Sequence, residues 1–432
     1  MAADGGATEI VVIGGGTAGV RLAQRLAASP SAGTKVTLLG EETHAPYNRV
    51  LLADVLAGRY GPEVIALPRV PGTERRGVRA VRIDRAERVV RCDDGSVVPY
   101  GRLVLATGSN PVLPPLRGLW GPDHHRLPEG VHAFRTMDDC GALSAAVRPG
   151  TRAVVVGGGL LGVSAARALA ERGARVVLAQ QGEHLMERQL DRTGSLLLRR
   201  RLESWGVEVH TECRVRGLAL DETDSGTGAG RVAAVELADG FRLDAELTVL
   251  ACGVRPRTGL ARAAGLDVRR GIVVDDELRT SDPRIHAIGD CAEHRGRLYG
   301  LAGAALEQAD ALARSLTTDP AAEAPAPRYT GTRSLTRLTL SALGGQTPEA
   351  PFPLDLAAFG ETTPLPGDDV VQLTDATRGA YRKVVVRGDR LVGGVLLGDL
   401  ATIGALSRTW EDDEPLPPTT PLLHLLTPDG GS

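Results

Sequence analysis

Two glycine-rich sequences carry the clearest chemical signal in this chain. Gly14-Gly15-Gly16-Thr17-Ala18-Gly19 follows the apolar run Glu9–Ile13, and Gly157-Gly158-Gly159-Leu160-Leu161-Gly162 follows the run Ala153–Val156. A helix-like pattern comes after each of them. The order of strand, glycine turn and helix lets backbone N–H groups approach a diphosphate at the positive end of a helix. Two copies in matching contexts therefore predict two dinucleotide-binding units.

In each unit a second strand should end on the residue that holds the adenosine ribose. In the first unit this strand is predicted at Lys35–Leu39, and Glu41 is placed to accept hydrogen bonds from both ribose hydroxyls. In the second unit the strand Arg175–Ala179 ends on Gln180, which is neither a carboxylate suited to NAD nor an arginine suited to a 2′-phosphate. The choice of nucleotide stays open there, with Glu183, His184 and Arg188 as candidate substitutes.

Two further strand ends carry residues that could contact a ligand. The run Leu103–Ala106 enters Thr107-Gly108, and the run Ile285–Ile288 enters Gly289-Asp290. Ligands of open α/β sheets bind at the carboxyl ends of the strands. Asp290 is therefore predicted to contact a ligand rather than only to stabilise a turn.

Composition narrows the functional classes. The 432 residues suggest about three domains, and 42% apolar residues with a net charge of −3 exclude a disordered or strongly basic chain. No nucleic-acid partner, membrane span or export signal is predicted, and a cytoplasmic location is expected. The five cysteines have no close spacing, so no iron–sulfur cluster, zinc site or redox disulfide is predicted from local motifs.

Together these motifs resemble the two-dinucleotide flavoprotein superfamily of pyridine nucleotide–disulfide reductases, ferredoxin reductases and the flavin portion of nitrite reductases. The resemblance implies an α/β fold with two Rossmann-like domains in a three-layer, glutathione-reductase-like arrangement, plus a small α+β C-terminal domain. Residues 1–115 and 250–328 would form the FAD-binding domain. Residues 116–249 would form the NAD(P)-binding domain, and residues 329–432 a C-terminal interface domain.

The resemblance also implies roles for individual residues. The first glycine motif, Glu41, Ala106-Thr107-Gly108, Gly289 and Asp290 would bind FAD, with Arg49 beside the flavin or its diphosphate. Ala302 would begin a helix directed at the pyrimidine end of the flavin. The second glycine motif and Gln180 would bind NAD(P)H, and Gly253 would line the nicotinamide side.

Within the superfamily, three stretches look like the large subunit of NAD(P)H nitrite reductase. They are Tyr47-Asn48-Arg49-Val50-Leu51-Leu52, Leu185-Met186-Glu187-Arg188-Gln189-Leu190-Asp191 and Cys291-Ala292-Glu293-His294-Arg295-Gly296. Ferredoxin reductases usually carry a lysine and a glutamate where this chain has Asp54 and Ser164. The cysteine-rich iron–sulfur and sirohaem segments of nitrite reductases have no counterpart in this sequence.

The implied activity is that of an electron-transfer reductase with FAD and NAD(P)H as cofactors, NADH being favoured over NADPH. Hydride would pass from nicotinamide to FAD, and electrons would then pass to a separate protein, such as a nitrate or nitrite reductase component, a ferredoxin-like carrier or an oxygenase. Hydride transfer depends on stacking more than on an acid or base, so no catalytic side chain is predicted. A homodimer is compatible with this predicted function.

Two alternatives follow from Ser164 and Gln180 and from the C-terminal domain. The chain could be a flavin oxidase or specialised oxidoreductase that acts on a small organic substrate without NAD(P)H. It could also be a non-catalytic, flavin-bound module of a larger redox complex.

Overall fold

The computed structural model describes residues 9–28, 34–120, 126–221, 230–318, 328–333, 335–340, 354–375, 377–417 and 421–427. The chain divides into two compact units. The first comprises Met1–Leu51, Tyr60–Asn110 and Val254–Ser334, and the second comprises Leu52–Arg59, Pro111–Gly253 and Leu335–Ser432.

Strands predominate among the described residues. In chain order they are β1 (Glu9–Ile13), β2 (Lys35–Gly40), β3 (Thr73–Arg76), β4 (Ala80–Asp84), β5 (Val89–Cys92), β6 (Val97–Pro99), β7 (Arg102–Leu105), β8 (Ser109–Pro111), β9 (Val131–Ala133), β10 (Arg152–Val156), β11 (Arg175–Ala179), β12 (Val207–His210) and β13 (Val215–Asp221). They continue with β14 (Arg231–Leu237), β15 (Arg242–Asp244), β16 (Leu247–Leu250), β17 (Val254–Pro256), β18 (Ile272–Val274), β19 (Ile285–Ala287), β20 (Ala292–His294), β21 (Leu335–Leu340), β22 (Leu354–Gly360), β23 (Asp369–Asp375), β24 (Ala380–Arg387) and β25 (Arg390–Leu397).

The helices connect these strands. They are α1 (Thr17–Ala27), α2 (Leu52–Leu56), α3 (Met137–Ala146), α4 (Leu160–Glu171), α5 (Arg192–Ser204), α6 (Gly259–Ala263), α7 (Ala302–Thr317) and α8 (Ile403–Glu411). Short 3₁₀ turns lie at Arg49–Leu51, Gly289–Cys291 and Leu422–Leu426. Within the described ranges, none of the helices combines the length and the apolar character needed to cross a membrane.

A parallel sheet of order β19-β7-β1-β2-β3 forms the centre of the first unit. Strand β1 pairs with β2 from Glu9↔Lys35 to Ile13↔Leu39, and with β7 on its other side. The apolar side chains of β1 and β7 are almost fully buried, as expected of central parallel strands covered on both faces. All carboxyl ends therefore emerge at one edge, where the first glycine turn leads into α1.

Charge pairing joins the two main helices of this unit. On α7, the Asp310 carboxylate receives a bidentate pair of hydrogen bonds from Arg21 at 2.8 and 2.9 Å, and another from Arg25 at 2.9 Å. These arginines lie one helical turn apart on α1. Their hydrogen bonds lower the pKa of Asp310 to about 2.

The second unit contains a parallel sheet of order β12-β11-β10-β16-β9 and an antiparallel sheet of order β21-β22-β25-β24-β23. Strands β10 and β11 pair in parallel from Arg152↔Arg175 to Val156↔Ala179, as β1 and β2 do in the first unit. Helix α8 packs on the antiparallel sheet, where the Phe359 and Trp410 rings lie 5.2 Å apart. The predicted division into nucleotide-binding and C-terminal domains stays a prediction.

We expect Asp310→Asn to lower the free energy of unfolding by on the order of 2 kcal/mol at pH 7, because the variant loses a carboxylate that folding stabilises. The pKa of this group falls on folding, so its contribution is present above its ordinary value of 3.8 and is lost as the pH drops through about 2. Urea unfolding of the variant and of the unaltered protein at pH 7 and pH 3 measures the difference in their free energies of unfolding.

The matched control is Glu9→Gln, which removes a carboxylate from an exposed pair with Lys35 and should change stability little. Equal stability of Asp310→Asn and the unaltered protein at pH 7 would show that the α1–α7 ion pairs contribute nothing.

Candidate functional site

The first glycine turn is formed by close contact of two backbone segments. Gly14 has a φ of +121°, and a Cβ at this position would collide with the carbonyl oxygen of Ala106 at the end of β7. A Cβ on Gly19 would collide with the carbonyl oxygen of Gly14, so α1 packs directly on the turn. A Cβ on Gly16, in contrast, would meet no atom within 4 Å. The first and third glycines allow the packing, and the second leaves an open face.

The open face leads into the amino end of α1. Gly16 is the N-cap residue and supplies no side-chain hydrogen bond, and the first turn, which begins Thr17, Ala18 and Gly19, contains no acidic residue. Uncapped N–H groups at a helix start are suited to bind the oxygens of a diphosphate. The residues present therefore fit a dinucleotide such as FAD.

Arg257 connects two of the predicted FAD-binding elements. Its guanidinium donates a 2.7 Å hydrogen bond to the Glu41 carboxylate just after β2. Its backbone N–H donates to the carbonyl of Gly108, and its carbonyl accepts from the hydroxyl of Thr107. Arg257 lies 216 positions from Glu41 and belongs to no sequence motif, so the sequence gives no signal for this pair. Glu41 is thus held at the turn by an ion pair whose partner only the fold reveals.

Gly289 and Asp290 lie against the same turn. Gly289 has a φ of +76°, and a Cβ there would be 3.1 Å from the Cβ of Ala18 at the start of α1. Its N–H donates to the side chain of Gln308 on α7. The Asp290 carboxylate accepts a 2.9 Å hydrogen bond from the Ser109 hydroxyl. The structure therefore brings the first glycine motif, residues 106–108 and residues 289–290 together.

Arg49 and Ala302 stand at the remaining predicted FAD positions. The Arg49 guanidinium pairs with Glu42, donates to the Tyr47 hydroxyl at 2.7 Å and lies 4.9 Å from the centre of the Tyr47 ring. Ala302 is the first residue of α7, whose N-cap, Leu301, offers no capping side chain. Contact of either residue with the flavin stays a prediction.

The second glycine turn repeats the geometry of the first. Gly157 has a φ of +110°, and its Cβ would lie 2.5 Å from the carbonyl oxygen of Ala251 at the end of β16. A Cβ on Gly162 would collide with the carbonyl oxygen of Gly157. Gly159 again faces open space and caps α4, which begins with Leu160 and Leu161, without a side-chain hydrogen bond. This turn also fits a dinucleotide diphosphate.

Gln180 binds the turn itself. Its Oε1 accepts a 2.8 Å hydrogen bond from the N–H of Gly158, and its Nε2 donates to the carbonyl of His184. A carboxylate could accept the first bond but could not donate the second. The amide therefore joins the glycine turn to the segment that follows β11. This explains why a glutamine stands at position 180, which the sequence did not show.

Ser164 and Asp54 are the two positions at which this chain differs from the usual ferredoxin reductase residues. Both side chains have partners within the second unit. The Ser164 hydroxyl donates to the carbonyl of Leu160 inside α4. Asp54 on α2 pairs at 2.9 Å with Arg167, whose buried guanidinium also pairs with Glu171. Arg59 pairs with Glu171 in turn. These groups form a charge cluster around the buried Arg167 that joins α2 to α4, with the other three side chains partly exposed.

Gly253 follows β16 with a φ of +96°, and its Cβ position is open. The neighbouring Cys252 is unsuited to nucleophilic chemistry, because burial raises the pKa of its thiol to about 11. All five cysteines are free thiols, and the described residues contain no group of three or more side chains that could hold a metal ion.

Comparison with known proteins identifies two family models in the chain. Residues 8–309 match the pyridine nucleotide-disulphide oxidoreductase family, and residues 352–412 match the rubredoxin NAD+ reductase C-terminal domain. The chain is 34% identical to a Bacillus subtilis nitrite reductase [NAD(P)H] over 91% of its own length and 46% of the relative. It is 36% identical to the probable ferredoxin reductase CtmF of Castellaniella defragrans, covering 65% of this chain and 67% of that one.

Solved structures resemble the chain over nearly its whole length. The covalent putidaredoxin reductase–putidaredoxin complex matches with a TM-score of 0.80 and 25% identity over 98% of both chains. The ferredoxin reductase for the CYP199A2 system of Rhodopseudomonas palustris matches with a TM-score of 0.79 and 25% identity, covering 95% and 96%.

The chain belongs to the pyridine nucleotide-disulphide oxidoreductase family. This membership confirms the predicted α/β fold with two Rossmann-like domains, the prediction of an oxidoreductase and the predicted cofactors FAD and NAD(P)H. The chain spans about half the length of two of its Bacillus subtilis relatives, the nitrite reductase and an assimilatory nitrate reductase electron transfer subunit.

We expect Gly16→Glu to abolish FAD binding and Gly159→Glu to weaken NAD(P)H binding roughly tenfold or more, because each carboxylate would occupy an open face and repel a diphosphate. Both residues have extended backbone angles that allow a side chain. Flavin absorbance of the purified variants and the KM for NADH and NADPH measure the effects.

Gly404→Glu is the control, since its Cβ position is equally open but lies in α8. Retention of FAD by Gly16→Glu, or an unchanged nicotinamide KM in Gly159→Glu, would remove that turn from the binding site.

Proposed function

We propose that this protein is an NAD(P)H-dependent FAD reductase that delivers electrons to a separate protein. The observation that carries the proposal is the pair of glycine turns with the same open face, one in each unit. Two such turns suit two different dinucleotides, which an enzyme needs if it is to accept hydride from one and hold it on the other.

The first turn would hold the FAD diphosphate through the N–H groups at the start of α1. Glu41 would accept hydrogen bonds from the adenosine ribose, and Arg257 keeps its carboxylate in place. Asp290 would contact the ribityl or diphosphate region. The amino end of α7 at Ala302 would stabilise negative charge on the flavin pyrimidine. When bound, FAD supplies the redox chemistry, taking hydride from the nicotinamide and releasing electrons to an acceptor.

The second turn would hold the diphosphate of NAD(P)H, with Gly253 beside the nicotinamide. Gln180 would position the turn rather than read the ribose, since its amide is bonded to Gly158 and His184. The residue that follows β11 is a glutamine and not the arginine suited to a 2′-phosphate, which favours NADH over NADPH. The chain's own groups bind and orient, and no side chain is assigned a proton-transfer step.

We propose a small iron–sulfur protein as the electron acceptor. Relatives include a probable ferredoxin reductase, and a solved neighbour was captured with putidaredoxin. The C-terminal match to a rubredoxin NAD+ reductase domain supports the same class of acceptor. A component of nitrate or nitrite assimilation, suggested by the Bacillus relatives, is the more specific form of this proposal. A cytoplasmic location and a homodimer belong to the proposal as well.

We expect the purified protein to be yellow and to lose its flavin absorbance under nitrogen when NADH is added. Addition of an oxidised ferredoxin or rubredoxin should restore the absorbance, because electrons leave the flavin for a one-electron carrier. Stopped-flow spectra with NADH and NADPH in turn measure the rates of both steps.

Bleaching by an organic substrate but by neither nicotinamide would instead favour a specialised oxidase. Bound FAD that no reductant or acceptor changes would favour a non-catalytic module. Heat-denatured protein with the same free FAD concentration controls for reduction of unbound flavin.

A further inference from the structure

The β11–α5 loop, residues 180–191, is folded directly onto the second glycine turn. The N–H of Met186 donates a 2.9 Å hydrogen bond to the carbonyl of Gly158, and the N–H of Gly158 donates to Gln180. A Cβ on Gly158 would lie 2.6 Å from the buried side chain of Leu185. The conformation of the loop therefore depends on that of the turn, and the reverse. The contact is at Gly158, the residue before Gly159, whose Cβ position is open.

The start of α5 supports this loop from the other side. The hydroxyl of the buried Ser195 accepts a 2.8 Å hydrogen bond from the N–H of Leu185. Asp191, the last residue of the loop, caps α5 by accepting a 3.0 Å hydrogen bond from the N–H of Gly194. The position of Asp191 thus affects the path of the whole loop.

The same carboxylate is anchored to the C-terminal antiparallel sheet. Its Oδ2 accepts hydrogen bonds from the Tyr381 hydroxyl at 2.6 Å and the Lys383 ammonium at 2.7 Å. These two residues are alternate positions of β24, so they lie on one face of the sheet. Tyr381 is fully buried and Lys383 is 6% exposed. A buried ammonium requires an anionic partner, and Asp191 provides it.

Lysine is rare in this chain, which makes the placement of Lys383 informative. Lys35 and Lys383 are the two lysines among 50 basic residues. Lys35 forms an exposed pair with Glu9, whereas the Lys383–Asp191 pair is enclosed. Although burial opposes ionisation, the hydrogen bonds from Lys383 and Tyr381 hold the pKa of Asp191 below its ordinary value. The Asp191 carboxylate is therefore ionised at neutral pH and can serve as the anionic partner.

We infer that Asp191, Tyr381 and Lys383 are positioning residues for the nucleotide at the second glycine turn, and that the C-terminal sheet preorganises this site by anchoring the β11–α5 loop. The inference rests on the proposed binding of NAD(P)H there. Loss of the anchor frees the loop, so that binding must also order it, and the affinity falls. FAD binding is unaffected, because its turn belongs to the other unit.

The test compares Lys383→Met with Lys35→Met in the FAD-loaded protein. NAD+ and NADP+ binding is measured by calorimetry, the KM and kcat for NADH and NADPH by steady-state reduction of ferricyanide, and loop order by hydrogen exchange. We expect Lys383→Met to raise the Kd and KM roughly tenfold while kcat changes less than about twofold. The amides of Leu185 and Met186 should exchange faster, and flavin content should stay the same.

Lys35→Met makes the same chemical change at an exposed pair and should alter none of these quantities. Lys383→Arg keeps the charge and should restore much of the affinity. Where Lys383→Met does not fold, Tyr381→Phe removes one hydrogen bond, retains the ring, and should shift the Kd and the exchange rates in the same direction.

The outcomes separate the two ideas. A lower melting temperature with unchanged Kd, KM and loop exchange would make the anchor merely structural and overturn the inference alone. Absence of NAD+ or NADP+ binding, and of reduction by NADH or NADPH, in the unaltered protein would overturn the proposed function and the inference with it.

Discussion

The carbonyl oxygens of Ala106 and Ala251 occupy the space that a side chain would need at Gly14 and Gly157. In each sheet the end of the neighbouring strand, β7 or β16, can therefore lie directly against the glycine turn. The second glycine of each turn, Gly16 or Gly159, is the N-cap of the following helix. The N–H groups at the start of that helix have no side-chain cap. The proposed nucleotide sites depend on this backbone contact, because a Cβ at Gly14 or Gly157 would collide with the carbonyl oxygen at the end of the neighbouring strand.

Charged side chains around the turns are mostly paired with one another. Arg257 holds Glu41, Glu42 holds Arg49, and Arg167 joins Asp54 to Glu171. The buried Arg167 makes its pairs with Asp54 and Glu171 costly to separate, whereas the Arg257–Glu41 pair is exposed and contributes less to stability. This use of charge is consistent with an oxidoreductase whose cofactors carry the chemistry, since the protein must then hold two ring systems rather than supply an acid or a base.

The segment that resembles nitrite reductases, Leu185–Asp191, gains a physical explanation from the second unit. Its amino end packs on Gly158, and its carboxyl end, Asp191, bonds to Tyr381 and Lys383. Gln180 belongs to the same arrangement, because an amide can bond both the turn and the loop where a carboxylate could bond only the turn. The C-terminal sheet is therefore part of the support for the second turn as well as a candidate surface for partners.

The sequence by itself determined the two glycine turns, their strands and helices, and the family, because these features depend on local spacing and on the absence of a Cβ. The starts of α1 and α4 and the ends of β2 and β11 agree with the sequence-based prediction to within a few residues. Only the tertiary structure decided which distant residues meet: Arg257 with Glu41, Arg167 with Asp54, and Lys383 with Asp191. Ion pairs between residues more than a hundred positions apart leave no periodic trace in a chain rich in arginine, since their geometry exists only after the sheets have formed.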